Sequence, residues 1–397
     1  MKRDLVVLYL AMLTSRVGFG VIIITFPSYI ASSSDLEVAV ALAAYPLLEA
    51  ATALPVGRVC DTRGRKAVFV ASLGYMAILM ASIGLTKDIV AVASIHALMG
   101  VGAAGVTVST LTMVTDLTVG GHRGAGMGTF DFANVGGYAL GLVLGSRLVS
   151  VFRADLSGAF YVTGLTVAAA FAIAVLVLKE PPHQKRITDK SFNPFKAIDP
   201  YARSVLPIWL GVTVLLGVVF FLPRAFGGVG IGGGLTAGIL IAGVLVLGAG
   251  AIGFGALSDR IGRGWVLLIG VVGLFGLLVS LGFSLDSGTD VLFRNLPVLG
   301  VFALMTSALV PTILATVGDR ANFERRGSAM GLYSVMLSGG SAVGTLLAGV
   351  AHSASGLSGI FEVAAAIFFV ASAASLALWV RARVRGAKAG SPVLGPV

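Results

Sequence analysis

Cysteine is almost missing from this chain: Cys60 is the only one among 397 residues. One thiol excludes an internal disulfide and any thiolate cluster for a metal. Histidine occurs only four times and scattered, so no structural zinc site, and no other metal or cofactor, is expected. Charge is scarce as well, with 12% Asp, Glu, Lys and Arg against 57% hydrophobic residues. Soluble domains carry about 25% charged residues, so an ordinary water-soluble globule is excluded. No Ser-His-Asp arrangement and no phosphate-binding loop is visible, and the longest loop, 180–203, is too short for a catalytic domain. The chain is therefore not expected to be an enzyme.

What it has instead is long apolar runs. A helix needs about 20 mostly apolar residues to cross a hydrocarbon core roughly 30 Å thick. Twelve segments qualify, near 5–30, 37–57, 66–86, 89–115, 124–148, 158–179, 204–226, 234–257, 265–285, 295–317, 328–351 and 358–380. The basic start Met1-Lys2-Arg3 is also how a signal peptide begins. Here the apolar run continues past Arg16 to Ile30 without a small-residue cleavage site, so it reads as the first span. The expectation is an all-α membrane protein with a six-helix bundle at 1–179, a linker at 180–203 and a second six-helix bundle at 204–397.

The formal net charge of +10 invites a polyanionic partner, but the positions argue otherwise. With both termini cytoplasmic, only Lys87, Arg147, Arg153, Arg224 and Arg294 fall outside, and Arg16 lies within a span. The other 22 of the 28 basic residues lie on the cytoplasmic side. That is the positive-inside bias, which sets orientation and requires no nucleic acid. A multi-pass protein of the cell membrane is expected, in contact with lipid and acting as a monomer.

Two motifs occur twice. Gly57, Asp61, Gly64, Arg65 and Lys66 form a charged knot between the second and third spans. Gly255, Asp259, Gly262 and Arg263 repeat it 198 residues later. Arg123-Gly124-Ala125-Gly126-Met127-Gly128 opens the fifth span, and Arg326-Gly327-Ser328-Ala329-Met330-Gly331 opens the eleventh, at an offset of 203 that Asp116 and Asp319 share. Two motifs in the same order, half a chain apart, indicate parallel repeats of six helices. The small residues of 124–145 and 327–349 let helix backbones approach closely in lipid.

These residues resemble the major facilitator superfamily over the whole chain. Gly57 to Lys66 is similar to the family's loop motif Gly-x-x-x-Asp-x-x-Gly-Arg-Lys, with Thr62 where the family is usually basic. Gly255 to Arg263 fits the same pattern. In the fourth span Gly100 and Gly102 match a second family motif, whose arginine slot holds His96. The fifth span has the glycine spacing of the antiporter motif without its proline. The resemblance implies alternating access, with Asp61 facing the eleventh helix and Asp259 the fifth. It also implies that Asp116 and Asp319 receive Arg65 and Arg263. Asp61 and Asp259 can accept charge-assisted hydrogen bonds and face a helix N-terminus. Together with Gly57, Gly64, Lys66, Arg123, Gly262 and Arg326, these residues make the expected cytoplasmic latch.

A charge buried in a span costs at least about 2.5 kcal/mol, so each needs a reason. Four ionisable residues lie deep in spans: Arg16, Glu49, His96 and Asp131. By helical rise Arg16 is about 16 Å from the start of its helix and Glu49 about 12 Å from the end of its own. Burial favours a neutral carboxyl and a nearby guanidinium favours the ionised one. A carboxylate exchanging partners with Arg16 can therefore load and release a proton. Arg16 is expected to pair with Glu49 or Asp131, and His96 is a candidate pH-responsive group. Candidate pocket residues are Asn134 and, in the second half, Trp209, Phe220, Met305, Thr306, Tyr333 and Met336, since Met and aromatic side chains suit varied ligands.

The reading is a proton-driven antiporter exporting small amphipathic or drug-like molecules, with protons and a small-molecule substrate as partners. The alternatives are a proton-coupled symporter or uniporter of an organic anion, with Arg16 as clamp, and a non-transporting membrane sensor or receptor.

Overall fold

The first half consists of six helices: α1 (Lys2–Tyr29), α2 (Asp35–Arg63), α3 (Arg65–Ile83), α4 (Ile89–Leu117), α5 (Arg123–Val151) and α6 (Ser157–Val177). The structure is a computed structural model, and its described residues are 2–29, 35–118, 123–152, 154–180, 203–225, 233–320 and 326–388. Most of the expected linker, 181–202, lies outside them. The second half comprises α7 (Leu206–Ala225), α8 (Gly233–Ile261), α9 (Arg263–Asp286), α10 (Thr289–Arg294), α11 (Leu296–Thr306), α12 (Leu309–Arg320) and α13 (Arg326–Lys388).

Ten stretches of the described residues are helical, long and apolar enough to cross a membrane. Leu206–Val219 in α7 is a shorter apolar stretch. The 29-residue α8 occupies the position of the eighth expected span. The all-α membrane fold read from the apolar runs therefore stands, with three local differences.

The tenth span is divided between α11 and α12. Pro311 explains the break, because its ring lacks an N–H and crowds the carbonyl of Ser307, four residues before it. The backbone tightens there, with the Ser307 amide donating to both Ala303 and Leu304. The short α10 precedes this span and was not anticipated. The eleventh and twelfth spans run together as α13, broken only at Gly356, whose φ of 71° lies in the left-handed region.

The repeat is visible in the packing. In the first half α1 crosses α5 where a Cβ on Gly20 or Gly141 would strike the facing backbone. In the second half α7 crosses α13 the same way at Gly217 and Gly344. Lipid gives no hydrophobic drive for helix association, so such close backbone approach is how these bundles gain packing energy. The halves meet along two seams, α2 against the first part of α13 and α5 against α8.

Candidate functional site

At the end of the molecule that carries the repeated knots, each half places an aspartate on a helix N-terminus of the other. Asp61 Oδ1 accepts from the Gly327 amide at 2.8 Å, and its Oδ2 accepts from the Ser328 amide and hydroxyl, each at 2.9 Å. Asp259 Oδ1 accepts from the Gly124 amide at 3.0 Å and Oδ2 from the Ala125 amide at 3.1 Å. These are the first amides of α13 and α5, which have no partner within their own helix and lie at the positive end of its dipole. The sequence permits the approach because glycine stands on both sides. A Cβ on Gly57 would collide with the Gly327 carbonyl, and one on Gly255 with the Gly124 carbonyl.

Around these two contacts the arginines form a second layer. Arg65 Nε lies 3.2 Å from Asp116 Oδ2. Arg263 reaches Asp259 at 2.7 Å and Asp319 at 3.0 Å. Arg123 crosses between the halves to Asp319 at 2.5 Å. Gly64 and Gly262, with φ of 103° and 96°, make the turns that bring Arg65 and Arg263 into place. Only glycine adopts that backbone region without strain. Six hydrogen bonds cross between the halves at this end.

One participant escaped the sequence reading. Glu180, just past α6, accepts the Arg65 amide at 2.7 Å and the Lys66 amide at 2.8 Å, capping α3. The Lys66 ammonium donates to the Val175 carbonyl at 3.1 Å. The motif turn is thus tied to the root of the loop that joins the halves. A glutamate at the end of a span, ahead of Pro181 and Pro182, was the available signal.

The membrane interior holds the second constellation. Arg16 Nη2 donates to Thr107 Oγ1 at 2.9 Å, and the Thr107 hydroxyl donates to Glu49 Oε1 at 3.3 Å. Arg16 Nη1 donates to the Tyr138 hydroxyl at 3.0 Å. The guanidinium carbon lies 5.1 Å from the Phe19 ring centroid and 5.3 Å from that of Tyr138, so flanking aromatics add cation–π attraction. Tyr45 stacks on His96 at 5.2 Å and meets Phe19 edge-on at 5.2 Å. Arg16, Glu49 and His96 are all buried.

These groups line one cavity between the halves. Arg16, Tyr45, Glu49, His96, Asn134 and Tyr138 form its first-half wall; Leu216, Leu337, Ser338, Ser341 and Thr345 form the other. Four of the lining residues keep a buried polar atom without a well-formed hydrogen bond, Arg16 Nε, Tyr45 Oη, Asn134 Oδ1 and Ser338 Oγ, although the Arg16 guanidinium lies beside the Tyr45 hydroxyl and the Glu49 carboxylate beside the Ser338 hydroxyl.

The structure sorts the sequence candidates. Arg16 meets Glu49 through Thr107 rather than directly. Asp131 is buried but is not among the residues lining this cavity. It sits seven residues before Tyr138 on α5, about 10 Å along the helix toward the motif-bearing end, within electrostatic reach of the Tyr333 hydroxyl. Of the pocket candidates, Asn134 lines this cavity, whereas Trp209, Met305, Thr306, Tyr333 and Met336 do not. Trp209 and Tyr333 stack on each other at 4.1 Å, and the indole N–H donates to the Tyr333 carbonyl at 3.0 Å, fastening α7 to α13. Thr306 bonds back to the Phe302 carbonyl, Met305 packs at Gly273, and Met336 lies against the core with its carbonyl accepting from Thr213. The side chains of Phe220 and Arg326 lie outside the described residues. Thr107, Tyr138, Tyr45 and Ser338 were missed as site residues, because hydroxyls in apolar helices read as packing.

Comparison with known proteins agrees with this geometry. The family model described as Major Facilitator Superfamily matches residues 8–299 and 233–395. The uncharacterized MFS-type transporter YuxJ of Bacillus subtilis (strain 168) is 24% identical over 360 residues, covering 83% of this chain and 84% of YuxJ. The multidrug resistance protein MdtG of Proteus mirabilis (strain HI4320) is 30% identical over 114 residues, 29% of this chain and 27% of MdtG. Among solved structures, the human organic anion transporter MFSD10 (TETRAN) superposes with a TM-score of 0.78 at 17% identity, covering 94% of this chain and 99% of that one.

Proposed function

The chain belongs to the major facilitator superfamily, and we propose that it is a proton-driven antiporter exporting small amphipathic or drug-like molecules. The observation that carries this reading is the Arg16–Thr107–Glu49 chain at the cavity between the halves. A carboxylate held one hydroxyl away from a permanent cation has an acceptable charged form and an acceptable protonated form, which a proton carrier needs. The facing wall is a mixture of leucine and hydroxyl side chains, suited to ligands with an apolar body and one polar end. The partial likeness to MdtG, named for multidrug resistance, points the same way.

In this reading the motif-bearing end is cytoplasmic, as the basic residues there favour. The protein sits in the cell membrane and works as a monomer. The structure then corresponds to a state closed to the cytoplasm, in which Glu49 takes its proton from outside. Breaking the Asp61 and Asp259 contacts opens the other end and admits substrate from within.

The test is pH-gradient-driven flux in proteoliposomes. Glu49→Gln is expected to lose gradient-driven accumulation, and Asp131→Asn measures whether the deeper carboxyl shares the proton. Coupling unchanged in both variants contradicts the proposal. A second reading is favoured by Arg16 Nε, which makes no well-formed hydrogen bond within the protein: transport of an organic anion clamped by Arg16. MFSD10, whose fold this chain shares, is named as an organic anion transporter. Acid-driven uptake abolished by Arg16→Gln would select that reading.

A further inference from the structure

The cavity offers a specific set of hydrogen-bonding groups that lack a well-formed internal partner, and their chemistry restricts what can occupy it. Arg16 Nε can only donate, so it requires an acceptor on the occupant. Asn134 Oδ1 can only accept, so it requires a donor. The Tyr45 and Ser338 hydroxyls serve in either sense. Around them Phe19, Ile22, Leu42, Leu216 and Leu337 supply apolar and aromatic wall.

The charged groups add a second restriction. The ionisable side chains facing Glu49 are Arg16 from α1, His96 from α4, Tyr138 from α5 and Tyr45 from its own helix, while α13 presents the hydroxyl of Ser338. Glu49 is already engaged by the Thr107 hydroxyl. Arg16 is held by Thr107 and Tyr138 and cannot lose its proton in a protein. A permanent cation entering this space meets a buried guanidinium that has no neutral form. With Glu49 protonated, the guanidinium is the net charge of the cavity, so a neutral molecule meets no such penalty and an acidic one gains.

We propose that the cavity selects neutral or weakly acidic amphipaths carrying an aromatic body with both an acceptor and a donor, and rejects cations. The groups that discriminate are Arg16 Nε, Asn134 Oδ1 and the Ser338 hydroxyl. This names the substrate class of the transport site proposed above and rests on that reading for its physiological meaning. Rejection of cations is an element of specificity built as repulsion, separate from the attraction that binds the preferred class.

The experiment is a thermal-shift and calorimetric comparison of three probes that share a hydroxyphenyl body: 4-hydroxyphenylacetamide, 4-hydroxyphenylacetate and tyramine. Purified full-length protein in detergent is used, without any gradient. The amide and the acid are expected to raise the melting temperature, and tyramine to leave it unchanged. In Arg16→Met the order inverts: tyramine stabilises and the acid no longer does. Asn134→Leu weakens the amide most. The wild-type ranking alone suffices if Arg16→Met fails to fold. Tyramine stabilising the wild type as well as the other two, or none of the three stabilising it, overturns the inference. Because no flux is measured, loss of this ranking leaves the proton-coupling proposal standing, and absence of coupled flux leaves the ranking standing.

Discussion

The two ends of the repeat close with the same backbone contact and different side chains around it. Asp61 and Asp259 each take two amides from the start of a helix in the opposite half. At Asp61 the third partner is a neutral hydroxyl, Ser328. At Asp259 it is Arg263, which also holds Asp319, which in turn holds Arg123 from across the interface. Both latches stand beside an arginine–aspartate pair, Arg65 with Asp116 and Arg263 with Asp319, but the Asp61 carboxylate also takes a hydroxyl where the Asp259 carboxylate takes a guanidinium. The amide contacts and the arginine–aspartate pairs keep the symmetry of the repeat, while the third partner of each carboxylate differs. The divergence is greater in the membrane interior, where Arg16, Glu49, His96 and Asp131 have no charged counterparts deep in the second half.

Removing the shared part should matter most. Valine at Gly57 or at Gly255 places side-chain atoms inside the facing carbonyl, so either is expected to prevent closure at this end. Accessibility of a cysteine introduced in the Asp61 region would report it. Similar protection in the variants and the wild type would mean that the seam absorbs the added side chain and stays closed.

Asp61→Asn comes next. It replaces charge-assisted hydrogen bonds worth about 1.5–3 kcal/mol with weaker ones and turns one acceptor into a donor facing amide donors. The closed population should fall about tenfold or more. Asp259→Asn should do the same, and the comparison is broken if only one of them acts.

Gly64→Ala forces a non-glycine residue to φ of 103°, a strain of about 1–3 kcal/mol. A melting curve should show it at Gly64 and, equally, at Gly262. The smallest effect is expected from Arg123→Gln, which removes a partly exposed ion pair worth about 0.2–1 kcal/mol. It sharpens the contrast through salt. Raising ionic strength should weaken closure in the wild type and have less effect in the variant, because the screened pair has gone.

How much of this was legible beforehand follows from what each residue has to satisfy. Asp61 and Asp259 could be placed because a charged turn between apolar runs has few positions to occupy, and its repetition set the topology. Gly57 and Gly255 could be placed in the motif for the same reason, but their part in close helix approach emerges only where Gly327 and Gly124 face them. Glu180 could not, since its partners are backbone amides that carry no sequence mark. In the interior, Arg16 and Glu49 stood out because isolated charges in apolar helices are costly. Thr107 did not, because a threonine can satisfy its hydroxyl on its own helix, as Thr110 and Thr112 beside it do. Trp209 and Tyr333 have the composition of a pocket, yet they pack on each other. Side-chain direction decides between these fates, and it emerges only when the helices are assembled. The divided tenth span was legible in Pro311, whose effect on the preceding turn is general.

The central claim is that the paired aspartates hold this end shut. Spin labels at Val59→Cys and Ile261→Cys, both exposed and on opposite halves, can report the separation by double electron–electron resonance in a Cys60→Ala background. One short distance is expected in that background, with a shift to longer distances when Asp61→Asn and Asp259→Asn are combined. An unchanged short distance in the double variant would contradict it.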